Sequence, residues 1–300
     1  MKRFDVVGVG YCNVDYLGIV PRYPDLDEKM RMTDFSRQGG GVTATAMATV
    51  GRLGGRACYI GKVGDDDFGR FSITELEKDN VDISRVIIQP ETSSQFSFIA
   101  VDQTTGKRTI FWTPSEIKFE ANELCRDEVL AGKVLHVDAH HPDAALQASK
   151  WANEAGIPVV MDAGTLRPGS EEIVEHTDAL IASALFARQF TGEDDPEAAV
   201  RKMLGGQRKI AAVTLGDKGC FYATADGVRH QPAFRVDVVD TTGAGDVFHG
   251  AFSFGLAQGW EFPAIVEFAS AVSAIKCTKL GGRAGIPTLP EVHRFLDKKR

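Results

Sequence analysis

Apolar residues follow two different periods along the 300-residue chain, and the two periods alternate. Short continuous apolar runs, such as FDVVGVG at residues 4–10 and KVLHVDA at residues 133–139, predict buried strands. Between such runs, segments such as residues 42–54 have helical spacing and end at glycine. Apolar strands that alternate with helices of crossover length favour a mostly parallel sheet with helices on both faces. The pattern therefore predicts a doubly wound α/β fold.

Two segments, approximately residues 13–38 and 92–113, break this alternation. In SQFSFIAVD and KRTIFW, apolar and polar positions alternate with period two, and the turn DQTTGK joins them. We expect a small separate sheet with one exposed face, built from both segments and interpreted as a lid over a cleft. An extension of the main sheet edge is the alternative. No repeat or linker divides the chain, so residues 1–300 are expected to form a single domain.

Charge and cysteine content narrow the class of protein. The net charge of −7 argues against nucleic-acid and anionic-membrane partners, which require a basic surface. The five cysteines are scattered and contain no CxxC pair, so neither a disulfide framework nor a zinc site is expected. No apolar run has the length of a membrane span, and the first residues do not form a signal peptide. These features predict a cytoplasmic protein without a membrane partner.

Two glycine-rich segments fail as nucleotide motifs. The GVG that ends the first strand would need a third glycine at the position of Asn13, and GK at residues 61–62 is followed by Val63 instead of serine or threonine. The remaining candidate is VDVVDTTGAGDVFHGAF, residues 236–252. A strand, FRVDVV, is predicted to lead into its glycines, and a helix to begin beside Asp246. Free N–H groups at a helix start form an anion site.

Asp246 has two possible roles in this segment. A carboxylate in the first turn of a helix stabilises the helix through its dipole. Alternatively, it is a general base beside an anion hole, as phosphoryl transfer requires. Asp240, six residues earlier, is better suited to a cation ligand. The segment alone leaves both roles of Asp246 open.

Four motifs together resemble the ribokinase, or PfkB, family of carbohydrate kinases. DTTGAGDVFHGAF resembles the family's C-terminal signature, GGVTATAMATVGRLG its substrate-site helix, GKVGDDDFGR its GKVGDDxFG motif, and VTLGDKG its nucleotide-side strand and loop. They occur in the family's order over essentially the whole chain. The resemblance implies a ribokinase-like fold with a small β lid. It also implies an ATP-dependent, magnesium-using kinase that phosphorylates a primary hydroxyl of a small-molecule sugar.

The resemblance also implies a role for individual residues. Asp246 would be the catalytic base, and the anion hole would comprise Gly243, Ala244 and Gly245. The sugar-binding residues would be Asn13, Asp15, Lys29, Gly40, Gly41, Thr45 and Arg108. The nucleotide-side residues would be Thr214, Gly216, Gly219, Ser270, Ala274 and Gly281. Asp240 and Thr242, beside the KCTKLGG turn, match the region where many members bind a monovalent cation such as K+.

The sequence departs from the family pattern at two motifs. Thr45 stands where the substrate-site helix usually has asparagine, and Ser183 and Phe186 stand where the family has its N-x-x-E motif. Mg2+ would then be held mainly by phosphates and water, as suits an ion that retains its hydration shell. A catalytically weak sugar-binding homologue is the alternative.

Within the family, QPAFRVDVVDTTGAGDVFHGAF and KCTKLGGRAGIP most resemble the sulfofructose kinase branch, which implies a ketose or modified ketose. Lys29, Arg108 and the pair His140–His141 are candidates for reading an anionic or polar group; the histidines are alternatively a polar loop after a strand. A nucleoside kinase of the same fold is the competing hypothesis. Its base pocket would use aromatic residues of the lid, namely Phe96, Phe98, Phe111 and Trp112. The exposed lid strands also suggest a homodimer.

Overall fold

The computed structural model describes residues 2–299, which form two β-sheets and ten α-helices. The strands are β1 Phe4–Val9, β2 Asn13–Val20, β3 Asp34–Gly40, β4 Ala57–Gly64, β5 Val81–Gln89, β6 Phe96–Asp102, β7 Arg108–Trp112, β8 Gly132–Asp138, β9 Val159–Ala163, β10 Ala179–Ser183, β11 Ile210–Thr214, β12 Cys220–Thr224 and β13 Gly227–Gln231. The helices are α1 Val42–Arg52, α2 Asp67–Lys78, α3 Arg126–Val129, α4 Pro142–Glu154, α5 Ser170–Glu175, α6 Ala184–Thr191, α7 Pro196–Met203, α8 Ala244–Ala257, α9 Phe262–Lys276 and α10 Leu289–Asp297.

The main sheet has the strand order β13-β12-β11-β10-β9-β8-β1-β4-β5. All neighbours from β11 to β5 pair in parallel, whereas β12 and β13 add an antiparallel hairpin at one edge. Helices α1, α8 and α9 bury their apolar residues on one face, and α4 to α7 cover the other. The predicted doubly wound, mostly parallel α/β fold is confirmed. None of the helices between residues 2 and 299 combines the length and apolar composition needed to cross a membrane.

The remaining four strands form a second sheet in the order β3-β2-β6-β7, called here the small sheet. Strand β2 pairs in parallel with β6, while β3 and β7 are antiparallel to their neighbours. Its own core is small and consists mainly of Leu17, Ile99 and Val101. The glycines at the end of β3 lead directly into α1. The small sheet and the main layer therefore meet where β2 begins and β3 ends.

Small residues allow α1 and α8 to pack closely over the main sheet. A Cβ added at Gly250 of α8 would lie 2.4 Å from the Ala46 carbonyl oxygen of α1. The buried positions of α1 are mostly alanine and threonine, which leaves room for that approach. Because α8 carries the segment singled out in the sequence, its tight packing fixes the position of its N-terminus.

The prediction that FRVDVV forms a strand before α8 is wrong. The hairpin ends at Gln231, and residues 232–239 form neither strand nor helix. Pro232 follows the hairpin and lacks the N–H that would continue a ladder. Further on, Val239 N and Asp240 N both donate to the Cys277 carbonyl oxygen, which anchors the segment to the end of α9 instead of to a strand.

The chain order reverses between β1 and β8. From β1 the connections run outward through β4 to β5, and from β8 they run outward on the other side through β9 to β11. In open parallel sheets, ligands bind beyond the carboxyl ends of the strands at such a switch point. Asp138 ends β8 and Asp162 lies near the end of β9. Both acidic residues therefore lie at the edge of the sheet where a ligand site is expected.

Candidate active site

The segment DTTGAGD forms a tight turn into α8. Gly243 caps the helix with φ 70°, a left-handed conformation that favours glycine, and we call residues 243–245 the glycine turn. Ala244 N donates to Thr241 O and Val247 N to Gly243 O, whereas the N–H groups of Gly245 and Asp246 have no acceptor among residues 2–299. A Cβ added at Gly245 would meet no atom within 4 Å. The helix start is therefore open to a ligand and offers free N–H donors to an anion.

Asp246 lies half-buried in the first turn of α8, beside these free donors. Burial, together with the charge of Asp162, raises the pKa of Asp246 to about 7. The charges of His249, Arg108 and His140 oppose this shift. A carboxyl group with a pKa near neutrality is well suited to accept a proton from a hydroxyl group and release it later.

A second carboxyl group, that of Asp162 on β9, acts on Asp246 through its charge. Burial raises the pKa of Asp162 to about 8, with a further contribution from Asp138. Its Oδ2 lies 3.1 Å from Nδ1 of His249, although Nδ1 makes its hydrogen bond to Gly245 O at 2.6 Å. The other ring nitrogen, Nε2, lies 3.1 Å from Ile181 O. His249 thus links the first turn of α8 to the ends of two strands.

Asp240 is completely buried on the other side of the glycine turn. Its Oδ1 accepts hydrogen bonds from the backbone N and hydroxyl of Thr242, at 2.8 and 2.7 Å. Its Oδ2 accepts from Gly281 N at 2.8 Å, and its backbone oxygen accepts from Lys276 Nζ at 2.9 Å. Burial lowers the pKa of Lys276, and the nearby Asp240 carboxylate opposes that shift. The structure therefore brings Asp240, Thr242 and Gly281 together.

Asn13 and Asp15 form a buried polar cluster where the small sheet meets β1. Asn13 Nδ2 donates to Asp15 Oδ1 and to Ser97 Oγ, each at 2.9 Å. Burial raises the pKa of Asp15 to about 6; the Asn13 hydrogen bond and the charge of Arg283 oppose this, whereas the charges of Asp246 and Asp240 add to it. The charges of Asp246 and Asp240, both in the segment around the glycine turn, therefore act on the buried Asp15. Asn13 Oδ1 is buried and has no hydrogen-bond partner in the described chain.

The glycines between β3 and α1 bring the backbone close to this cluster. A Cβ added at Gly40 would lie 2.2 Å from Asp15 Oδ2. Gly41 caps α1 with φ 89°, and a Cβ there would lie 2.3 Å from the Cys12 Cα. The left-handed backbone and the close approach both require glycine at position 41.

Thr45 and Arg283 lie together behind this glycine pair. Arg283, only 2% exposed, donates from Nη2 to Gly40 O at 2.7 Å and from Nε to Thr45 Oγ1 at 3.3 Å. The backbone N of Arg283 donates to Gln38 Oε1, and Gln38 Nε2 donates to Leu280 O. The family that the sequence resembles usually has asparagine at this position. The shorter Thr45 side chain leaves space for Arg283.

Arg108 connects the small sheet to the glycine turn. Its Nη1 donates to the hydroxyl of Thr241 at 3.0 Å. The Thr241 hydroxyl also lies 3.4 Å from Gly106 O, in the hairpin before β7. Arg108 is exposed, so a ligand between the two sheets could reach it.

A cavity of about 380 Å³ opens beside Asn13, between the small sheet and the ends of β1 and β8. Its polar lining includes Ser97, His140, His141 and Arg167. The Tyr11 ring stacks on His140 with centroids 4.6 Å apart, and Arg167 Nη2 lies 3.4 Å from His140 Nε2. Beneath His140, Asp138 accepts hydrogen bonds from Thr43 and Tyr11 N. Burial would raise the pKa of Asp138, but His140 and these hydrogen bonds outweigh it and lower the pKa well below its usual range.

The predicted nucleotide-side residues follow β11 or lie on α9. Thr214 ends β11 and donates to Ala182 O at 3.3 Å, while Gly216 is exposed in the next turn and Gly219 is buried. Ser270 and Ala274 are half-buried on α9, and the neighbouring Ser273 donates to Ala244 O at 2.7 Å. That last contact joins α9 to the glycine turn.

Other predicted residues occupy different surroundings. Lys29 lies on an exposed loop, makes no hydrogen bond or ion pair within residues 2–299, and does not line the cavity. Ser183 caps α6: its hydroxyl accepts from Phe186 N and donates to Gly164 O. Phe186 is completely buried in the core.

The sequence interpretation missed several residues of the site region, among them Asp162, Arg167, Lys276 and Arg283. Asp162 had a readable signal, because it ends the apolar run IPVVMDA just as Asp138 ends KVLHVDA, and the ends of parallel strands share one edge. Lys276 also had one, as a charge within the apolar segment FASAVSAIKC. Arg167 and Arg283 lie in loops, and only the folded chain brings them to the site.

A switch-point site with an open helix N-terminus and an adjacent carboxylate, together with a small sheet across the cleft, defines a ribokinase-like sugar kinase. The sequence model of the pfkB family carbohydrate kinases matches residues 3–289. The chain belongs to this family.

Similar proteins agree with this assignment over nearly the full length. Fructokinase-1 of Zea mays is 31% identical over 290 residues, which cover 88% of this chain and 90% of that protein. The ribokinase of Bacillus subtilis is 25% identical over 295 residues, covering 96% and 98%. The crystal structure of ribokinase from Thermotoga maritima has a TM-score of 0.83 at 28% identity, and the alignment covers 98% of this chain and 99% of that chain.

Proposed function

We propose that this kinase transfers the γ-phosphoryl group of ATP to a primary hydroxyl of a ketose-like sugar, with Asp246 as the general base. One observation carries the proposal. Asp246, with its raised pKa, stands beside unpaired N–H donors at the start of α8, and its charge acts on Asp15 of the buried polar cluster. A base and an anion site at one position are what phosphoryl transfer to a hydroxyl requires.

In this proposal, ionised Asp246 accepts the proton of the sugar hydroxyl. As the hydroxyl oxygen bonds to the γ-phosphorus, the bond to the β–γ bridging oxygen breaks and ADP leaves. The N–H groups of Gly245 and Asp246 donate to the transferring group, and Gly243 and Ala244 shape the turn. Arg108 adds a positive charge from the small sheet, which acts as a lid and excludes water when it closes.

Asn13, Asp15 and the glycine pair bind the sugar. Asp15 accepts hydrogen bonds from sugar hydroxyls, and the unpaired Asn13 Oδ1 accepts another. The absence of side chains at Gly40 and Gly41 leaves backbone atoms free to approach the ring. Thr45 acts indirectly, because its hydroxyl already accepts from Arg283. Lys29 contributes only if its loop moves toward the cleft.

Thr214, Gly216, Gly219, Ser270 and Ala274 line the nucleotide in this proposal. Magnesium bound with ATP would neutralise part of the phosphate charge. The Ser183 hydroxyl is used as a helix cap and Phe186 is in the core, so neither offers the ion a carboxylate. The residues present therefore fit an ion held mainly by phosphates and water.

The cavity beside Asn13 supports a ketose with an acidic or strongly polar group at the end remote from the reacting hydroxyl, as in sulfofructose. Arg167 pairs with no carboxylate among residues 2–299 and lies beside His140 on the cavity wall. An unpaired guanidinium suits bidentate recognition of an anion. The fructokinase relative supports the ketose part of the proposal.

A nucleoside substrate receives less support. Of the four aromatic residues considered for a base pocket, Trp112 lines the cavity, whereas Phe96, Phe98 and Phe111 do not. Since side chains alternate along a strand, Phe98 and its partner Phe111 lie on the face opposite Ser97 and Trp112.

That opposite face of the small sheet supports a homodimer. Phe35, Phe98 and Phe111 are exposed there, with Phe111 58% accessible, and Phe98 and Phe111 contact each other with centroids 6.4 Å apart. Clustered exposed aromatics are typical of a protein interface. Light scattering should give twice the chain mass, and Phe111→Asp should give the monomer mass; a monomeric parent protein excludes the dimer.

An ADP-release assay tests the function. Fructose, sulfofructose, ribose and adenosine are offered with ATP and Mg2+ at equal concentration. The proposal expects turnover with a ketose and the highest kcat/KM with the anionic ketose. Preference for adenosine would establish a nucleoside kinase instead. Saturable sugar binding without turnover of any substrate would establish a silent homologue.

A further inference from the structure

Every oxygen of the buried Asp240 already accepts a hydrogen bond from the protein. Its two carboxylate oxygens accept from Thr242 and Gly281, as described above. Its carbonyl oxygen accepts from the Lys276 ammonium at 2.9 Å. In the adjoining turn, Leu280 O accepts from Gln38 Nε2 at 2.9 Å. Donors of the protein, one of them the Lys276 ammonium, therefore already engage the oxygens of Asp240, and the ammonium places a positive charge where the resemblance implies a monovalent cation.

Lys276 is an unusual lysine because its side chain is 0% exposed. It makes no ion pair within 4.0 Å among the described residues, and its one hydrogen bond goes to Asp240 O. Burying an ammonium group is costly unless other charges and dipoles compensate it. Here the compensation comes from the Asp240 carboxylate nearby and from the C-terminal end of α9, where Lys276 is the last residue.

The ammonium is also well placed to act on the anion site. The turn that follows Lys276 packs against the glycine turn: a Cβ added at Gly243 would lie 2.9 Å from the Gly282 Cα. Gly281 N, in the same turn, holds the Asp240 carboxylate. Through Asp240, the Lys276 charge therefore orders the loop that carries Gly243 and Asp246.

We infer that the Lys276 ammonium replaces the monovalent cation of this region, so that the kinase needs no K+. Lys276 is a positioning residue: it supplies a fixed positive charge and holds the Asp240 carbonyl oxygen. The expected K+ site at Asp240 and Thr242 does not fit the residues present. This inference uses the proposed function only where activity is the readout.

Cation exchange tests it in the parent enzyme and in two variants. The parent should have the same kcat in KCl, NaCl and choline chloride at equal ionic strength. Lys276→Ala removes the charge and opens space, so activity should fall about tenfold or more, because Asp240 O is left unsatisfied, and K+ should restore it better than Na+ or choline. Lys276→Met removes the charge but keeps the space filled, so K+ should not restore its activity. Exposed Lys279 provides the control, since Lys279→Ala should resemble the parent.

Thermal denaturation separates this inference from the proposed function, because it requires no turnover. The melting temperature of Lys276→Ala should rise in KCl relative to choline chloride, as binding to the folded state demands, whereas that of the parent should not. K+ activation of the parent enzyme overturns the inference. A folded Lys276→Ala that gains neither rate nor melting temperature from K+ overturns it as well. If the parent phosphorylates no sugar, the proposed function fails while the melting temperatures still decide the role of Lys276.

Discussion

The guanidinium of Arg108 donates a hydrogen bond to the hydroxyl of Thr241 across 3.0 Å, although the two residues are 133 positions apart. Arg108 begins β7 of the small sheet, and Thr241 lies two residues before the glycine turn. The contact therefore joins the sheet across the cleft to the anion site. Because the charge of Arg108 also lowers the pKa of Asp246, a movement of the small sheet would change the ionisation of the base.

Removal of this charge should move the pH profile of the enzyme. Asp246 must be ionised to act as a base, so kcat/KM should rise with pH through about 7. In Arg108→Ala the pKa of Asp246 rises further, and the acid limb should move upward by up to about one pH unit. At neutral pH the activity should fall accordingly. Lys107→Ala, a neighbouring exposed substitution, is the control and should leave the profile in place. An unchanged acid limb in Arg108→Ala would exclude electrostatic contact with the base.

Asp162 should shift the profile in the opposite direction. The two carboxyl groups titrate in the same pH range, and ionisation of Asp162 raises the pKa of Asp246, so Asp162→Asn should lower that pKa and move the acid limb of kcat/KM to lower pH. The other charged groups that act on Asp246 are His249, Arg108 and His140, and they remain in the variant. Asp143→Asn, an exposed substitution on α4, is the matched control. An upward shift would refute the assigned coupling between the two carboxyl groups.

Gly41 should tolerate no side chain. In Gly41→Ala the left-handed backbone and the 2.3 Å approach to the Cys12 Cα both act against the folded state, so we expect a loss of about 2 kcal/mol or more in the free energy of unfolding. The KM for the sugar should rise as the backbone moves away from Asp15. Gly205→Ala is the control, since a Cβ there would meet only a flexible arginine end at 3.5 Å. Equal unfolding midpoints for the two variants would contradict this account of the turn.

Arg167 should decide between neutral and anionic ketoses. In Arg167→Ala, kcat/KM for an anionic ketose should fall about tenfold to a hundredfold, as expected for a lost charge-assisted contact, while kcat/KM for fructose should change little. Arg167→Lys should retain part of the preference because the charge remains without the bidentate geometry. The comparison requires steady-state rates with both sugars. Equal losses for both sugars would show that the arginine supports the cavity without reading the anion.

The sequence predicted the sheet architecture because buried strands and helices give different spacings of apolar residues, and these spacings are visible in the sequence. The runs at β1, β9, β10 and β11 are mostly apolar, and in each of them every residue, or every residue but the last, is buried. The segment FRVDVV misled for the same reason: its apolar residues resemble a strand, but Val238 and Val239 are 47% and 39% exposed beside the cleft. Apolarity at a ligand site does not distinguish a strand from a loop.

Only the part of the site that lies in one contiguous sequence motif could be predicted. The glycine turn and Asp246 form one contiguous segment, so their proximity is encoded in the sequence. Asp162, Lys276 and Arg283 come from separate segments, and their significance depends on tertiary contacts with His249, Asp240 and Gly40. A single sequence carries no direct record of such contacts. The raised pKa of Asp246 likewise depends on burial that only the folded chain produces.

The most direct test of the central claim is the turnover of Asp246→Asn with the best ketose substrate. The substitution keeps the shape of the side chain and removes its ability to accept a proton, so kcat should fall at least about a hundredfold. Binding of ATP, measured by calorimetry on the same preparation, should be retained because the free N–H groups remain. A variant with near-parent kcat would contradict the assignment of Asp246 as the base. Loss of ATP binding with loss of turnover would instead make Asp246 a structural residue of the helix start.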